Sequence, residues 1–522
     1  MSEQVKKVGH PKGLYVLFAT EMWERFNFYG MRAMLILFMT KALLFDDHFS
    51  SNLYGSYIGF IYLSPLLGGY IADRFWGNKR SILVGGLVMA IGELILFVCG
   101  SVYNSSPGLS QILFYSGLGF MIAGNGFFKP NISSLVGQLY PDGDNRKDAA
   151  YTIFYMGINV GGMAGPLICG LVGQTGNPAD FRWAFLVGCV AMLLSLLIQK
   201  LFHDKYVKSP DGNILGLTPG TTPVVVDPLT DIEYKLVKKP SAIWLNPAYI
   251  AIGTLLFAAV MIGAMYLDTR WSYLFYLLSA SFLFIIILIF SDKNLTAHEK
   301  QRIWVMVIIA VFVIFFWGAY EQTGASLVFF ADRQTNLNLW PGYTMPSSYF
   351  QSFNSAFIII LAPVLAWIWL KMGKKQPSTP AKMGLGLILL ASGYFWIAYG
   401  VKDVQSNVQV SMIWLTGMYL LHTLGELCLS PIGLSLFNKL SPLRFASLLM
   451  AVWFLGNAGG NKLAGVLSSL YPSDGKKTSF LGYQISNLHE FFMLFVVMAG
   501  IAGIILLLLS NRLKKMMFLS EA

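Results

Sequence analysis

The chain has 522 residues, of which 55% are hydrophobic and only 12% charged, with a mean hydropathy of +0.59. So apolar a composition excludes an ordinary soluble protein and points to a polytopic membrane protein. The formal charge of +11 then reflects orientation and contact with anionic lipid, and it makes no case for nucleic acid as a partner.

Apolar windows of about 20 residues fall near 14–43, 52–74, 80–103, 109–136, 148–173 and 181–202, then near 245–266 and 271–291. Six more follow near 302–331, 349–371, 382–401, 409–437, 443–470 and 488–511. This predicts an all-α chain with about fourteen spans. The first apolar run is long and interrupted by charge, unlike a cleavable signal sequence. With the N-terminus on the cytoplasmic side, about 26 of the 37 basic residues fall in cytoplasmic segments and about 7 in outer ones. The expected location is the inner (plasma) membrane, with both termini cytoplasmic.

The first span carries Glu21, Glu24, Arg25 and Arg32. At roughly 2.5–3.5 kcal/mol each near the helix centre, these charges would place on the order of 10 kcal/mol on a lipid-facing helix. They must face protein or water. Their three-, four- and seven-residue spacings let them look out from one side of a helix into a polar cavity. A structural ion-pair lock needs only one acid and one base, so the surplus marks a pathway or binding site. Lys129 and Lys462 are the other basic residues within spans; Glu93 and His422 are also intramembrane, and the sequence does not assign Glu93, Lys462 or His422 a role. Cys99, Cys169, Cys189 and Cys428 lie in apolar spans without metal-ligand spacing, so neither a disulfide framework nor a metal site is expected.

Organisation follows from a repeat. Residues 1–13 form a cytoplasmic N-terminus, 14–202 a six-span half, 203–244 a Pro- and Gly-bearing cytoplasmic linker, 245–301 an inserted helix pair with its loop, 302–511 a second six-span half and 512–522 a tail. Gly124, Pro130, Ser134, Leu135, Leu139 and Pro141 align with Gly425, Pro431, Ser435, Leu436, Leu440 and Pro442, and Asn159-x-Gly161-Gly162 recurs as Asn457-x-Gly459-Gly460. Two parallel six-span repeats around a midplane site are a common secondary-transporter design.

Gly69 through Arg80, with Asp73 and Arg74 at a span end, resembles the loop after the second span in the major facilitator superfamily, where it suits a cytoplasmic latch. Glu21-x-x-Glu24-Arg25-Phe26-x-Phe28-Tyr29-Gly30 is similar to the ExxERFxYYG signature of the proton-dependent oligopeptide transporter (POT) family. Phe154-Tyr155-x-x-Ile158-Asn159-x-Gly161 and Phe316-Trp317-x-x-x-Glu321-Gln322 resemble two further segments of that family, and the extra span pair resembles its prokaryotic members. Phe28 replaces the first Tyr of the usual pair, and Gly162-Met163 replaces a usual Ser-Leu.

The resemblance implies a major facilitator fold, two six-helix bundles plus two inserted helices, working as a monomer to import di- and tripeptides with protons. The residue pattern agrees in one respect: Arg25, Arg32 and Lys129 lie in the first half, Glu321 and Glu426 in the second, which gives a cavity the polarity of a zwitterion. Similarity to the family implies that Arg32 and Lys129 attract the peptide carboxylate and Glu426 the ammonium. Asn159 and Asn354 would bond the peptide backbone, Tyr29, Tyr62, Trp317 and Trp453 would line pockets, and Ser430 joins this set. For coupling, Glu21 and Glu24 are expected to exchange Arg25 and Lys129 as partners, and Arg32 to pair with Glu321 in closing the outer side, since removing a cation from a buried carboxylate favours its protonated form. No cofactor is expected beyond the proton as coupling ion. No H-E-x-x-H, G-x-S-x-G or Walker A motif is present, so an enzyme is not expected. A transporter of nitrate, a small acid or a peptidomimetic, or a non-transporting receptor, remains the alternative.

Overall fold

Lipid offers no hydrogen bonds, so an apolar chain must satisfy its backbone within helices, and the computed structural model is built of them. It describes residues 9–141, 143–144, 146–219, 245–404, 408–442, 445–473 and 477–518. The first bundle contains α1 (Lys12–Lys41), α2 (Asp47–Ile71), α3 (Asn78–Val102), α4 (Pro107–Gln138), α5 (Arg146–Gly173) and α6 (Phe181–Tyr206). The inserted pair is α7 (Pro247–Trp271) and α8 (Tyr273–Phe290). The second bundle contains α9 (Ala297–Tyr320), α10 (Ser326–Arg333), α11 (Tyr349–Met372), α12 (Thr379–Gly400), α13 (Met412–Leu440), α14 (Ala446–Ser468) and α15 (Leu488–Met517). A 3-10 turn, Glu321–Gly324, joins α9 to α10 within one span, so fourteen membrane-length segments are present among the described residues, as the hydropathy pattern predicts. Ten of them are long and apolar enough to cross a membrane on length and composition alone, and the charge-bearing α1 is among the others.

The two bundles repeat their packing. Helix α1 lies on α5 as α9 lies on α14, α3 lies on α4 as α12 lies on α13, and α3 meets α6 as α12 meets α15. The repeat extends to single residues. A Cβ on Gly85 would stand 2.6 Å from the Gly124 carbonyl oxygen, and one on Gly386 would stand 2.7 Å from that of Gly425. Such backbone approach is the usual means of helix association where lipid removes the hydrophobic driving force. Between bundles, α2 packs on α14 and α5 on α11, while α7 packs on α4 and α2, and α8 on α14.

Two features depart from an all-helical reading. Short hairpins, β1 (Asn338–Trp340) with β2 (Tyr343–Thr344) and β3 (Thr478–Phe480) with β4 (Tyr483–Ile485), fill the α10–α11 and α14–α15 loops. In the second, Leu481 and Gly482 have φ of 48° and 87°, the paired positive values of a type I′ turn. The start of the expected linker is also docked. Lys79 donates its backbone N–H to the Gly216 carbonyl at 2.9 Å and its Nζ to Asp204 at 2.6 Å. Residues 220–244 of that linker, including Asp227 and Pro228, lie outside the described residues, as do the first eight residues and the last four.

Adjacent glycines on α2 test the close packing. A Cβ on Gly68 would meet the Gly126 carbonyl oxygen at 1.9 Å, whereas one on Gly69 would reach only Pro130, at an ordinary 3.7 Å. Gly68→Ala should cost about 1–3 kcal/mol through overpacking and lower the melting temperature of the purified protein. Gly69→Ala should leave it unchanged or raise it.

Candidate functional site

The charged face of α1 is set by glycines on α5. Cβ atoms on Gly161 and Gly165 would stand 2.2 Å from the Met22 carbonyl oxygen and 2.3 Å from that of Phe26. The two backbones therefore run in contact beside Arg25, which fixes the rotation of α1. Glu21, Glu24, Arg25 and Arg32 are all buried. Arg25 engages both acids: its Nε lies 3.2 Å from Glu21 and donates to Glu24, and its Nη2 donates to Glu24 Oε1 at 2.7 Å. Phe28 packs under the same guanidinium, ring centroid 5.0 Å from it. The departure from the family's Tyr thus sits against Arg25 and adds no hydroxyl to the charged cluster.

Lys129 is not the partner of either acid in this conformation, where Arg25 is. Among the described residues it pairs with neither Glu21 nor Glu24, and its Nζ lies 4.4 Å from the ring centroid of Tyr62. Arg25, on the same helix as both acids, gives both donors of its fork to Glu24 and stands beside Glu21 as an ion pair, so the acids have a cation without Lys129.

Arg32 crosses between the bundles. Its Nε donates to Tyr54 Oη at 2.6 Å, and its Nη2 donates to Glu321 and, at 3.4 Å, to Thr323 Oγ1. Glu321 can be reached because α9 breaks into its 3-10 turn there. Gly324 completes that turn with no room for a side chain, since a Cβ would fall 1.7 Å from Tyr54 Oη and 2.8 Å from Arg32 Nε.

A cavity of about 60 Å³ lies beside this pair, lined by Tyr29, Arg32, Tyr62, Trp317, Tyr320, Glu321, Thr323, Gln351, Asn354, Tyr419 and Glu426. It holds a few waters and no more. Glu426 stands at the wall contributed by α13, where it accepts from Tyr320 Oη and, at 2.9 Å, from Asn354 Nδ2. Asn354 also donates to Tyr320 Oη and to Thr423 Oγ1. Arg32 from α1 and Glu321 and Glu426 from the second bundle make the lining of this cavity charged across the bundle seam.

Of the residues singled out in the sequence, Tyr29, Arg32, Tyr62, Trp317, Glu321, Asn354 and Glu426 come together on this wall. Others do not line it. Asn159 turns its amide onto its own helix at the Tyr155 carbonyl, Trp453 packs on Phe437 with centroids 5.1 Å apart, and Ser430 lies one turn beyond Glu426 on α13. Asp73 and Arg74 fall in a π-helical turn, Ala72–Trp76, and both are exposed. Tyr54, Tyr320, Thr323, Gln351 and Tyr419 were not foreseen, because one tyrosine among 25 carries no local signal. Glu93 is fully buried within the first bundle, near Asn27 and Gly188, and His422 is buried between Tyr394 and Tyr320. Lys462 meets Asp268 of the inserted pair at 2.7 Å.

The direct bonds between bundles gather toward the end of the molecule that carries the α1–α2 loop. Besides Arg32 with Glu321, they include Arg333 with Asp47, Lys41 with Asp332 at 2.6 Å, and Ser352 with the Met163 carbonyl at 2.8 Å. At the opposite end, among the described residues, the α4–α5 and α13–α14 hairpins make no extensive contact with each other. The bundles are closed at one end and parted at the other.

Tyr54→Phe removes the acceptor for Arg32 Nε and should cost about 1–3 kcal/mol. Gly324→Ala, which must displace both Tyr54 and Arg32, should lower the melting temperature at least as far. Thermal unfolding of the purified variants checks both.

Comparison with known proteins places this arrangement. A model described as the POT family matches residues 79–481. The chain is 35% identical over 480 residues to the peptide transporter YePEPT of Yersinia enterocolitica, covering 89% of each chain. It is 30% identical over 529 residues to a di-/tripeptide transporter of Lactococcus lactis subsp. cremoris, covering 98% of this chain and 97% of the relative. Among solved structures it is similar to a mutant peptide transporter POT in complex with alafosfalin, with 31% identity, a TM-score of 0.79 and coverage of 99% and 97%. A POT family transporter in complex with 5-aminolevulinic acid gives 30% identity, a TM-score of 0.79 and 98% coverage of both chains. The chain belongs to the POT family, whose helical membrane transporters share its fold.

Proposed function

We propose that the protein is a proton-coupled symporter that imports di- and tripeptides by alternating access, as a monomer in the plasma membrane with both termini cytoplasmic. The observation that carries this reading is that Arg32, paired with Glu321, and Glu426 line one cavity between the bundles, the cation from the first bundle and Glu426 from the second. A short peptide is a zwitterion, so its carboxylate suits Arg32 and its ammonium suits Glu426. A wall carboxylate repels nitrate and other anions, which disfavours that alternative. Relatives named as di-/tripeptide transporters along nearly their whole length support the same substrate class.

With the α1–α2 loop outside, as the basic residues imply, the structure is closed outward. Protonation of Glu321 would cancel its charge and loosen its hold on Arg32, which frees the guanidinium for the substrate carboxylate and releases one of the outer contacts. Loss of that proton toward the cytoplasm would restore the pair. Glu21, Glu24, Arg25 and Lys129 make a second charged cluster, in which a proton on either acid would release part of Arg25 and leave room for Lys129 to approach. The gradient is adequate. One proton moving through about 100 mV contributes roughly 2.3 kcal/mol and one pH unit about 1.4, enough to accumulate a neutral substrate on the order of several hundredfold.

The test is uptake of labelled dialanine into proteoliposomes under an inward proton gradient and inside-negative potential. Uptake should be concentrative and abolished by a proton ionophore. Glu24→Gln and Glu321→Gln should lose gradient-driven accumulation, and Glu426→Gln should raise the half-saturating dialanine concentration roughly tenfold or more, the cost of removing a charge partner. Ionophore-insensitive uptake, or transport of another solute in place of dialanine, overturns the assignment.

A further inference from the structure

The inserted pair holds a charge that the transport cavity does not use. Asp268, near the end of α7, is fully buried, and Lys462 on α14 is 1% exposed. Lys462 Nζ donates to Asp268 Oδ2 at 2.7 Å and to Ser56 Oγ of α2 at 2.9 Å, and Ser56 Oγ donates to the same carboxylate oxygen at 2.5 Å. One triangle thus ties together the insertion, the first bundle and the second bundle. Its surroundings are a close backbone contact between the bundles: a Cβ on Gly55 would stand 2.7 Å from the Gly465 Cα, and Ser468 Oγ lies 3.0 Å from Ser51 Oγ. The remaining Asp268 oxygen accepts from the Leu274 N–H at 2.7 Å, in the first turn of α8. Helix α7 rests on α4 and α2, while α8 rests on α14, so the pair straddles the seam.

We propose that the inserted helix pair is a working part of the outer closure, with Asp268 supplying the buried counter-charge that Lys462 needs when α2 and α14 meet. An ammonium in a closed, dry interface without a partner strongly disfavours that interface. Opening outward must separate Ser56 from Lys462, and a carboxylate anchored at the α7–α8 turn cannot follow both. The insertion therefore adds to the stability of the outward-closed state. This rests on the alternating-access reading above, but its test requires no substrate, so the two can fail separately.

The experiment is the rate at which a membrane-impermeant thiol reagent, added from outside, labels Ser468→Cys in an otherwise unchanged full-length chain, whose four native cysteines are buried. Rates are normalised to folded protein. Asp268→Asn keeps an oxygen for the Leu274 N–H and removes only the charge. It should speed labelling roughly tenfold or more, a small part of what a stranded buried charge costs, and Asp268→Asn with Lys462→Gln should return the rate toward that of the parent. Lys462→Gln alone should also speed labelling, and it serves where Asp268→Asn does not accumulate. A parental rate in both single variants, or a double variant as fast as Asp268→Asn, overturns the proposal and leaves Asp268 as a cap of α8.

Discussion

The constraint on which the structure depends is that Arg32 carries its charge at membrane depth. A guanidinium held at membrane depth must be paired wherever the cycle takes it, and in this conformation its carboxylate partner comes from the other bundle, through Glu321. Neutralising Arg32 and closing the bundles over the cavity are therefore one event. Tyr54 and Thr323 complete the donor set, and the break between α9 and α10 brings Glu321 and Thr323 into reach. A continuous helix there would carry the two side chains to different faces.

Such an arrangement works only if each bundle keeps its shape while the seam changes. The glycine contacts supply that rigidity. Gly161 and Gly165 hold α1 against α5, and the equivalent pairs Gly85 with Gly124 and Gly386 with Gly425 lock corresponding helices in each half. Backbone in contact with backbone leaves no side chain to repack inside a bundle, whereas the inter-bundle surfaces also carry serines and ion pairs that can part and find other partners. Ser51, Ser56, Ser348, Ser352 and Ser468 all stand on those surfaces.

How far the site was legible follows from the same physics. Charges inside apolar spans are costly, so Glu21, Glu24, Arg25 and Arg32 stood out from spacing alone, while the roles of Lys129, Glu321 and Glu426 rested on the family resemblance, and the repeat of Gly124 as Gly425 exposed the two-bundle plan. Partner choice was legible for Arg32 with Glu321 through the resemblance but not for the lysines, because it depends on helix rotation and tilt that no spacing records. Lys129 rests on Tyr62 while Arg25 takes both acids, and Lys462 finds Asp268, a residue at the margin of a span where hydropathy gives no warning. The neutral residues were less visible still. Tyr320 joins Glu426 and Asn354 through one hydroxyl, yet in the sequence it is one aromatic in a chain that is 15% aromatic.

Charge balance links the separate clusters. The four carboxylates Glu21, Glu24, Glu321 and Glu426 face the three cations Arg25, Arg32 and Lys129, which leaves one net negative charge when all are ionised. A zwitterion adds nothing to that total, and a single proton removes it. The loaded set is then neutral, the state least opposed by the low dielectric during a movement that shuts out water. Loading the peptide without the proton leaves the charge uncompensated, and loading the proton without the peptide leaves Arg32 free of Glu321 but without a carboxylate to receive it. Coupling on this view needs no dedicated relay between distant sites. It follows from a fixed set of buried charges that is both neutral and fully paired only when proton and peptide are present together.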